Sequence, residues 1–560
     1  FINTFQLYWH IFIITAIMTP KPERISTKDQ NSISPPSEKN INADLQCDYL
    51  VVGAGTTGMS FIDTLLTENS NATVVLVDRN SRPGGHWVQA YPFVRLHQPS
   101  CFYGVNSLPL GKVRNRRGRE IFDRDDRATA TEVVEYYEKV IGQFESCGRV
   151  KCFFDAEYKY AESETKPKSD NPASSHTIIS GCGKVSKVRC TKLVTVSSNV
   201  VVPSMRKPLI PVHESVEIIP VNGVPDAVTS EKYTNFVVLG AGKTGSDAVI
   251  ELLLKGIDPS QIKWIISQDV WYFIRDVLYK DNGSFDESVR GIRPFLEEFT
   301  VKDAFLAVEK SGQAARLDPN GPFPEVCRGP QVSLKEMDML RSIKDTVRLG
   351  RVVSIGASDM TLERGSLSFS NSQTLFVDCM VEGFYGYGTV KEGFKIFEPG
   401  RVNLGPLFMV FNPSFSSAIT AYVESTFVSD EIKNSIFFFL AGKYSLGTPT
   451  TMLGGVYAQM KTMNALMKLH PPAAKFLLYS RTNPDSVNNR AGGSLLKLLW
   501  ASFGPLQLAK KGGIFVKKVE DGGFSDIDHC FGVGRPLPTK PSSKFLLRKT
   551  NAKKLGHRYP

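Results

Sequence analysis

The sequence predicts an α/β protein built on two Rossmann-like folds, because one strand-turn-helix pattern occurs twice. The stretches "DYLVVGAGTTGMSFIDTLL" (residues 48–66) and "NFVVLGAGKTGSDAVIELL" (residues 235–253) each run from an apolar strand through a Gly-x-Gly-x-x-Gly turn into a helix. The chain has 560 residues, of which 42% are hydrophobic and 22% are charged. This length suffices for several domains, and the composition is that of an ordinary globular protein.

The first turn has the features of a dinucleotide site. Gly53 permits a tight turn, Gly55 leaves no Cβ in the path of a pyrophosphate, and Gly58 lets the helix pack closely on the strand. Thr57 lies in the turn at the helix N-terminus, where free N–H groups attract phosphate. The next strand ends on Asp78, 20 residues after Gly58, where a carboxylate accepts hydrogen bonds from an adenosine ribose. We therefore predict that this unit binds a dinucleotide.

A Gly-Gly pair followed by an aromatic residue comes soon after this acid, in "DRNSRPGGHWVQAYPFVRLHQPS" (residues 78–100). The arrangement resembles class B flavoprotein monooxygenases, the group that includes the flavin-containing and the Baeyer–Villiger monooxygenases. The spacing of Trp87, Tyr91, Pro92 and Arg95 is similar to that of the Baeyer–Villiger members. The resemblance implies FAD as a cofactor, with contacts from Asp78, Arg79, Gly84, Gly85, His86 and Trp87. A second interpretation of Trp87 and Tyr91, as core aromatics, stays open.

The second unit predicts a site for the nicotinamide dinucleotide, NADPH or NADH, that reduces the flavin in this group. Its candidate contacts are Gly240, Gly242, Lys243, Thr244 and Gly245. Aligning "TVVLVD" with "KWIISQ" puts Gln268 where Asp78 stands in the first unit. A neutral residue at that place tolerates a 2′-phosphate, for which Lys263 and Arg275 are candidate partners. We therefore expect two bound dinucleotides, a tightly held FAD and a visiting nicotinamide cofactor.

The cysteines separate two classes of flavoprotein that share this double fold. The nine cysteines include no Cys-x-x-Cys pair, so the sequence disfavours a disulfide reductase and predicts no zinc or other metal site. The resemblance instead implies a monooxygenase. In that reaction NAD(P)H reduces FAD, and a flavin hydroperoxide transfers one atom of molecular oxygen to a small-molecule substrate.

Three departures from the group leave other reactions open. The Phe-x-Gly-x-x-x-His signature is missing before the second turn, where His213 stands alone. The stretch "LVTVSSNVVVPS" replaces the usual Ala-Thr-Gly strand end, and His97 stands where Baeyer–Villiger members place an aspartate. A flavin dehydrogenase or reductase without oxygen insertion, and a non-catalytic flavin or nucleotide sensor, therefore remain alternatives.

The candidate catalytic residues follow the Gly-Gly pair and are His97, Gln98 and Asn106. An ordinary histidine titrates near neutrality, so His97 is expected to donate a hydrogen bond to reduced flavin. Two interpretations of "FNPSFSSAITAYVESTF" (residues 411–427) stay open: a polar turn and helix that touch the flavin ring, and an ordinary serine-capped helix.

We expect the first fold to be interrupted by the second and followed by a helix-rich extension. The expected segments are a flexible or mis-annotated lead at 1–47, the FAD domain at 48–230, the NAD(P) domain at 231–345, the FAD-domain return at 346–425 and the helix-rich region at 426–560. The stretch "VDCMVEG" (residues 377–383) resembles the strand that returns to the flavin domain. Thr129 and Glu132 have the spacing of a capping box, which predicts that a helix begins there.

Charge and hydropathy limit the partners. The net charge is +11, but no long Lys/Arg run is interleaved with aromatic residues, so we predict no nucleic-acid partner. The apolar stretch at residues 5–18 is shorter than the roughly 20 residues of a membrane span. It fits an incomplete or over-extended gene model, which we favour, a weak anchor, or the tail of a targeting segment. The stretch at residues 494–511 predicts a packed capping helix or one on a membrane surface. Sparse cysteines fit a cytoplasmic location.

Overall fold

The computed structural model describes residues 45–116, 119–159, 174–196, 201–279, 284–370, 372–380, 394–405, 412–439, 447–483, 486 and 510–526. The apolar stretch at residues 5–18 and most of the stretch at 494–511 lie outside these residues. The expected lead overlaps the first strand, which begins at Leu45. None of the helices in the described part of the chain is both long and apolar enough to cross a membrane.

The strands fall into two large sheets, one mixed with a parallel centre and one wholly parallel, and three smaller antiparallel or mixed sheets. In chain order they are β1 Leu45–Val52, β2 Val74–Val77, β3 Val113–Arg116, β4 Arg119–Phe122, β5 Val150–Phe153, β6 Ala156–Lys159, β7 Ser174–Ser180, β8 Val185–Val196, β9 Ile218–Pro220, β10 Asn235–Leu239, β11 Ile262–Ile265, β12 Tyr272–Ile274, β13 Ala314–Ala315, β14 Gln331–Val332, β15 Thr346–Val347, β16 Val352–Ile355, β17 Asp359–Leu362, β18 Gly365–Ser368, β19 Thr374–Asp378, β20 Phe397–Glu398 and β21 Arg401–Leu404.

The helices cover the sheets and form the C-terminal extension. In chain order they are α1 Thr56–Glu68, α2 Ala130–Ser146, α3 Val224–Thr229, α4 Lys243–Leu254, α5 Arg275–Leu278, α6 Ser284–Glu297, α7 Val301–Lys310, α8 Leu334–Ser342, α9 Pro413–Thr426, α10 Asp430–Ile436, α11 Pro449–Leu469 and α12 Ala473–Tyr479, followed by helical residues 510–520. The predicted capping box is confirmed, because the Thr129 side chain accepts from the Glu132 N–H and the Glu132 carboxylate accepts from the Thr129 N–H.

The first sheet has eight strands, with β1 at its centre between β2 and β8 in the order β20-β21-β8-β1-β2-β5. The other two strands are β7, which pairs antiparallel with β8, and β6, which pairs antiparallel with β7. The pairs that β1 makes with β2 and β8 are parallel, and Val52 at its end aligns with Val77 and Thr195. The glycine turn follows Val52, and α1 then leads back to β2. This is the strand-helix-strand unit that the sequence predicts.

The second sheet repeats the arrangement, in the order β15-β11-β10-β19-β9, and all of its pairs are parallel. Leu239 at the end of β10 aligns with Ile265 of β11 and with Asp378 of β19. The second glycine turn follows Leu239, so the two turns occupy equivalent places in the two sheets. The predicted fold class, two Rossmann-like folds followed by helices, is confirmed.

The division of the chain between the two folds differs from the expected one. β9, β15 and β19 all pair within the second sheet, so this fold extends beyond the expected range of 231–345 in both directions. Of the stretch expected to return to the first fold, Val377 and Asp378 form the end of β19 in the second sheet, and residues 381–383 lie outside the described part. The return is instead made by β21, parallel to β8. A buried parallel strand is a continuous apolar run whichever sheet it belongs to. The apolar pattern of a strand therefore does not show which of the two sheets the strand joins.

A buried group of charges attaches the C-terminal helices to the first fold. The Lys433 Nζ atom lies 2.6 Å from Glu424 Oε2 and 2.8 Å from Asp430 Oδ1. Lys192 reaches the same two carboxylates at 3.2 and 3.1 Å, and the Tyr49 hydroxyl donates to Glu424 Oε1. Glu424 and Lys433 are fully buried, so each depends on these partners to compensate its charge.

Candidate functional site: a cavity between two glycine turns

One cavity of about 1430 Å³ reaches both glycine turns. It opens at the carboxyl ends of the central strands β1 and β10, the place where open α/β sheets bind ligands. Cavities that hold one drug-sized ligand usually measure about 300–1,000 Å³, so this one has room for more. The turn residues that line it are Gly53, Gly55, Thr56, Thr57 and Gly58 from the first unit and Gly240, Ala241, Gly242, Lys243 and Thr244 from the second.

The first and third glycines of each turn are required by the backbone. Gly53 and Gly240 have φ angles of +108° and +115°, a region that favours glycine. A Cβ atom on Gly58 would lie 2.1 Å from the Gly53 carbonyl oxygen, and one on Gly245 would lie 1.9 Å from that of Gly240. These third glycines therefore let each helix pack directly against its turn, and Gly245 acts from outside the cavity lining.

The second glycine of each turn leaves a helix N-terminus open to a ligand. Gly55 and Gly242 are the N-caps of α1 and α4, and neither helix has a side-chain cap. A Cβ on Gly242 would meet nothing within 4 Å. The first-turn N–H groups and the positive end of the helix dipole are thus available to an anion, as a pyrophosphate site needs.

Asp78 lies at the end of β2 in the position of a ribose acceptor. It is buried and lines the cavity, where its Oδ2 accepts from the Ala54 N–H at 2.6 Å and its Oδ1 from the Asn80 N–H at 2.8 Å. A carboxylate has about four acceptor sites, so capacity remains for ribose hydroxyls. Burial raises the pKa of Asp78, while these two N–H donors act in the opposite direction. The neighbouring Arg79 also lines the cavity.

The residue equivalent to Asp78 in the second unit is Ile266, and the alignment that placed Gln268 there is wrong by two positions. The Gly53 N–H donates to the Val77 carbonyl, and the Gly240 N–H donates in the same way to that of Ile265. Val77 and Ile265 are therefore equivalent, and so are the residues that follow them. The expected neutral character still holds, because Ile266 has no charge. Gln268 lies two residues farther along and lines the cavity.

The Gly-Gly pair packs against the first turn. Gly84 and Gly85 have φ angles of +127° and +60°, and the Gly84 N–H donates to the Ala54 carbonyl at 3.0 Å. A Cβ on Gly85 would lie 3.0 Å from the Gly55 Cα atom, so a side chain there would press on the turn. His86 and Trp87 follow, line the cavity, and have ring centroids 5.2 Å apart. Burial lowers the pKa of His86 to about 4, so its ring is neutral at neutral pH.

Sequence reasoning missed a group of hydroxyls behind the first turn. The Tyr103 hydroxyl contacts Thr56 Oγ1 and accepts from Trp87 Nε1 at 2.7 Å, and the Tyr137 hydroxyl donates to Thr56 at 2.8 Å. Tyr103 also lines the cavity. Tyr103 lies 47 residues after Thr56 in the chain, so no local sequence pattern could have identified this contact.

The two folds meet beside the second turn through Asp247, which was also missed. Asp247 lies on α4 and pairs with Lys243 one turn earlier, while the Tyr91 hydroxyl of the first fold donates to its Oδ2 at 2.7 Å. Burial lowers the pKa of Lys243, and Asp247 opposes that shift. Tyr91 therefore makes a contact between the folds, which goes beyond the role of a core aromatic.

His97 lies at the same junction and lines the cavity together with Gln98. Its Nδ1 accepts from the Gln331 N–H at 3.3 Å, which leaves the proton of the neutral ring on Nε2. Burial and the nearby charges of Lys243 and Arg275 lower the pKa of His97 well below its ordinary value. The expectation that this ring titrates near neutrality is therefore wrong, and the one N–H of the neutral ring is hydrogen-bonded to the Gly329 backbone carbonyl.

Asn106 does not line the cavity, contrary to its selection as a catalytic candidate. Its carboxamide oxygen accepts from the Ser480 hydroxyl at 2.9 Å and from the N–H and hydroxyl of Thr482 at 3.2 and 3.0 Å. Its N–H donates to Asp63. The carboxamide oxygen is committed to the C-terminal extension, while the buried Nδ2 atom has no hydrogen-bond partner among the described residues.

Helix α9, which follows β21, begins at the cavity. This position is the one required by the interpretation that residues 411–427 touch the flavin ring. Asn412, Pro413 and Ser414 at the start of α9 line it, and Asn412 caps the helix through the Phe415 N–H. The hydroxyl of Ser60, on α1, donates to the Ser414 carbonyl at 2.6 Å. This start of α9 therefore forms one wall of the cavity next to the first turn.

The cations proposed for a 2′-phosphate are engaged elsewhere, and another one is better placed. Lys263 pairs with Asp345 at 2.6 Å, and Arg275 pairs with Glu336. Arg351 lines the cavity, as Ser267 and Gln268 do, and no carboxylate of the described residues pairs with its side chain. Arginine is well suited to bind phosphate, so Arg351 becomes the candidate.

The comparisons with solved structures return flavoenzymes at low identity. The chain is similar to cyclohexanone monooxygenase from Rhodococcus sp. Phi1 bound to NADP+ (15% identity, 86% of this chain and 98% of that chain, TM-score 0.42). It is also similar to polycyclic ketone monooxygenase from Thermothelomyces thermophila (11%, 85% and 90%, TM-score 0.45). A third is the bacillithiol disulfide reductase Bdr from Staphylococcus aureus (10%, 68% and 98%, TM-score 0.41).

Sequence comparison gives a firmer relation. No family model matches the chain. The uncharacterized proteins Rv2000 of Mycobacterium tuberculosis and Mb2023 of Mycobacterium bovis are each 32% identical to it over 413 residues, which cover 70% of this chain and 70% of the relative. The chain therefore belongs to the protein family of these uncharacterized mycobacterial proteins.

Proposed function

We propose that the protein is an FAD-dependent oxidoreductase that accepts hydride from NADPH or NADH. The observation that carries this proposal is the single cavity that reaches two equivalent glycine turns. A protein that stored one dinucleotide would need one such turn. Two turns on one cavity fit a pair of dinucleotides whose reactive rings have to meet.

The chain's own residues divide into two holding sites. Asp78 would accept from the FAD ribose, and the N-terminus of α1 beyond Gly55 would hold its pyrophosphate. The N-terminus of α4 beyond Gly242, with Lys243 beside it, would hold the nicotinamide dinucleotide. When bound, the flavin supplies electron transfer between the nicotinamide and an acceptor. His97 lies at the junction of the folds and lines the cavity as a neutral ring.

We further propose that the acceptor reaction is a monooxygenation of a small-molecule substrate by molecular oxygen. Support comes from the Gly-Gly-aromatic segment and from the cysteines, because Cys379 is the sole cysteine among the described residues that line the cavity. A dithiol mechanism needs two. A flavin reductase without oxygen insertion is the alternative, favoured by the missing signature before the second turn.

The first experiment is a visible spectrum of the purified chain, followed by oxygen-free addition of NADPH and, separately, NADH. A yellow protein that bleaches within seconds supports the oxidoreductase, and oxygenated product formed on readmission of air supports the monooxygenase. A yellow protein that stays yellow would favour a flavin sensor. A colourless protein that takes up no added FAD would contradict the proposal.

A matched variant shows whether the second turn delivers the nicotinamide. Gly242→Ala adds a methyl group into open space, so the protein is expected to fold and to bind FAD normally. The methyl group would stand beside the helix N-terminus that the proposal assigns to the pyrophosphate. Reduction by NADPH should therefore slow at least about tenfold, while reduction by dithionite stays unchanged. Equal reduction by NADPH in both proteins would remove the second turn from the mechanism.

Arg351 provides a test of cofactor preference. Arg351→Ala is expected to raise KM for NADPH about tenfold, because a charge-assisted contact to the 2′-phosphate is lost, and to leave KM for NADH unchanged. Steady-state kinetics with both cofactors measure this. Lys263→Ala is the control, since that lysine pairs with Asp345 and should not change the ratio of the two KM values. A ratio that Arg351→Ala leaves unaltered would exclude this contact.

A further inference from the structure

A short buried segment of the C-terminal extension runs behind the wall of the cavity. Residues 480–483, which we name the strap, follow α12, and all four are buried. Most of their polar contacts are made to residues far earlier in the chain. The strap lies outside the two Rossmann-like folds, so the first fold does not need it to complete its sheet.

Arg481 of the strap holds the loop that supports the first glycine turn. Its guanidinium donates to the carbonyl oxygens of Cys101 at 2.5 Å, Tyr103 at 2.8 Å and Val105 at 3.1 Å. Tyr103 is the residue whose hydroxyl contacts Thr56 in the turn and accepts from Trp87. Three carbonyl groups of this loop are thereby fixed by one planar, permanently charged side chain.

Thr482 of the strap contacts the start of α9, which forms another part of the cavity wall. The Asn412 side chain donates from Nδ2 to the Thr482 carbonyl at 2.7 Å, while its Oδ1 caps α9 at the Phe415 N–H. On the other side, the Asn106 carboxamide oxygen accepts from Ser480 and Thr482. The strap thus joins the Tyr103 loop to the start of α9, and both line the cavity.

We propose that the strap positions the FAD site, and that Arg481 is a positioning residue for FAD binding although it does not line the cavity. This inference rests on the proposed function. Without Arg481 the three carbonyls lose their common donor, and Tyr103 is no longer held against Thr56 and Trp87. The turn then has to be ordered by the cofactor itself, which lowers its affinity.

The test compares two arginines that make the same kind of contact. Arg149 donates to the carbonyls of Leu66, Asn69 and Ala72 at the far end of α1, away from the cavity. Arg481→Met and Arg149→Met in the full chain should both lower the thermal unfolding temperature, and Arg481→Met by more, because Arg481 is buried and its charge also stabilises the ionised form of Asp63. The FAD dissociation constant of the apoprotein, measured by quenching of flavin fluorescence, should rise about tenfold or more for Arg481→Met and stay within about twofold for Arg149→Met.

Two further variants keep the test decisive. Arg481→Lys retains the charge but has no planar fork, so it should bind FAD with intermediate affinity. Thr482→Val keeps the shape of a buried side chain outside the cavity lining but loses the hydroxyl donor to Asn106, and it should weaken FAD binding even if Arg481→Met does not fold. Equal FAD affinity in the unmodified, Arg481→Met and Thr482→Val proteins would overturn the strap's role alone. An unmodified protein that binds no FAD would overturn the proposed function and this inference with it.

Discussion

Replacing Gly58 with alanine is expected to destabilise the first fold by about 4 kcal/mol or more, because the new methyl group has no space. Its carbon would lie 2.1 Å from the Gly53 carbonyl oxygen and 3.4 Å from a Val51 methyl group. The carbonyl belongs to the turn backbone and cannot rotate away as a side chain would. Urea unfolding followed by circular dichroism measures the loss, and FAD content should fall with it.

Gly142→Ala is the matched control for this change. Gly142 is also a helical glycine, within α2, but a Cβ added there would meet nothing within 4 Å. Alanine is the better helix former, so this variant should gain up to about 1 kcal/mol. If Gly58→Ala and Gly142→Ala unfold at the same urea concentration, the close contact between α1 and its turn is not present in the folded protein.

Replacing Lys433 with methionine is expected to cost about 3–5 kcal/mol, because it removes one partner from a buried group of charges. Glu424, which is fully buried, then keeps Lys192 at 3.2 Å and the Tyr49 hydroxyl but loses its nearest cation. Burial lowers the pKa of Lys433, while the charge of Glu424 raises it. Each of the two buried charges is therefore stabilised by the other. Chemical unfolding of the two proteins at neutral pH measures the difference.

Two companion variants show whether burial is the cause. Lys255→Met removes an exposed lysine that lies 3.8 Å from Glu251 and should change stability by less than about 0.5 kcal/mol. The double change Lys433→Met with Glu424→Gln removes both charges of the closest pair. It should therefore cost less than the sum of the two single changes. Additive costs, or equal losses for Lys433→Met and Lys255→Met, would contradict the account of a coupled buried group.

The sequence predicted features that depend on neighbouring residues and missed those that depend on distant ones. Gly53, Gly58 and Asp78 were predicted because turn, helix and strand follow one another at fixed spacing. The alignment that placed Gln268 opposite Asp78 was wrong because the sequence of an apolar strand does not show at which residue the strand ends. Asp247 and Tyr103 escaped notice because their roles arise from contacts across the fold.

The difference between neighbouring and distant contacts also explains why one catalytic candidate lines the cavity and another does not. Asn106 and His97 follow the Gly-Gly pair in sequence and looked alike as polar residues near a predicted site. The fold turns His97 to the junction with the second unit and Asn106 toward Thr482. The direction of a side chain in an irregular segment depends on packing partners that a single sequence does not reveal.

The position of β21 has a consequence for how the chain is made on the ribosome. β21 pairs with β8, but roughly 200 residues lie between them, which take on the order of 10–40 s to synthesise at 5–20 residues per second. Throughout that interval β7 already covers residues 185–190 of β8, but residues 193–196, which later pair with β21, present an open edge that can pair with other chains. The second fold lies wholly within the interval and can close first. Newly made chains should therefore need protection by chaperones until β21 emerges, and slower translation should prolong that need.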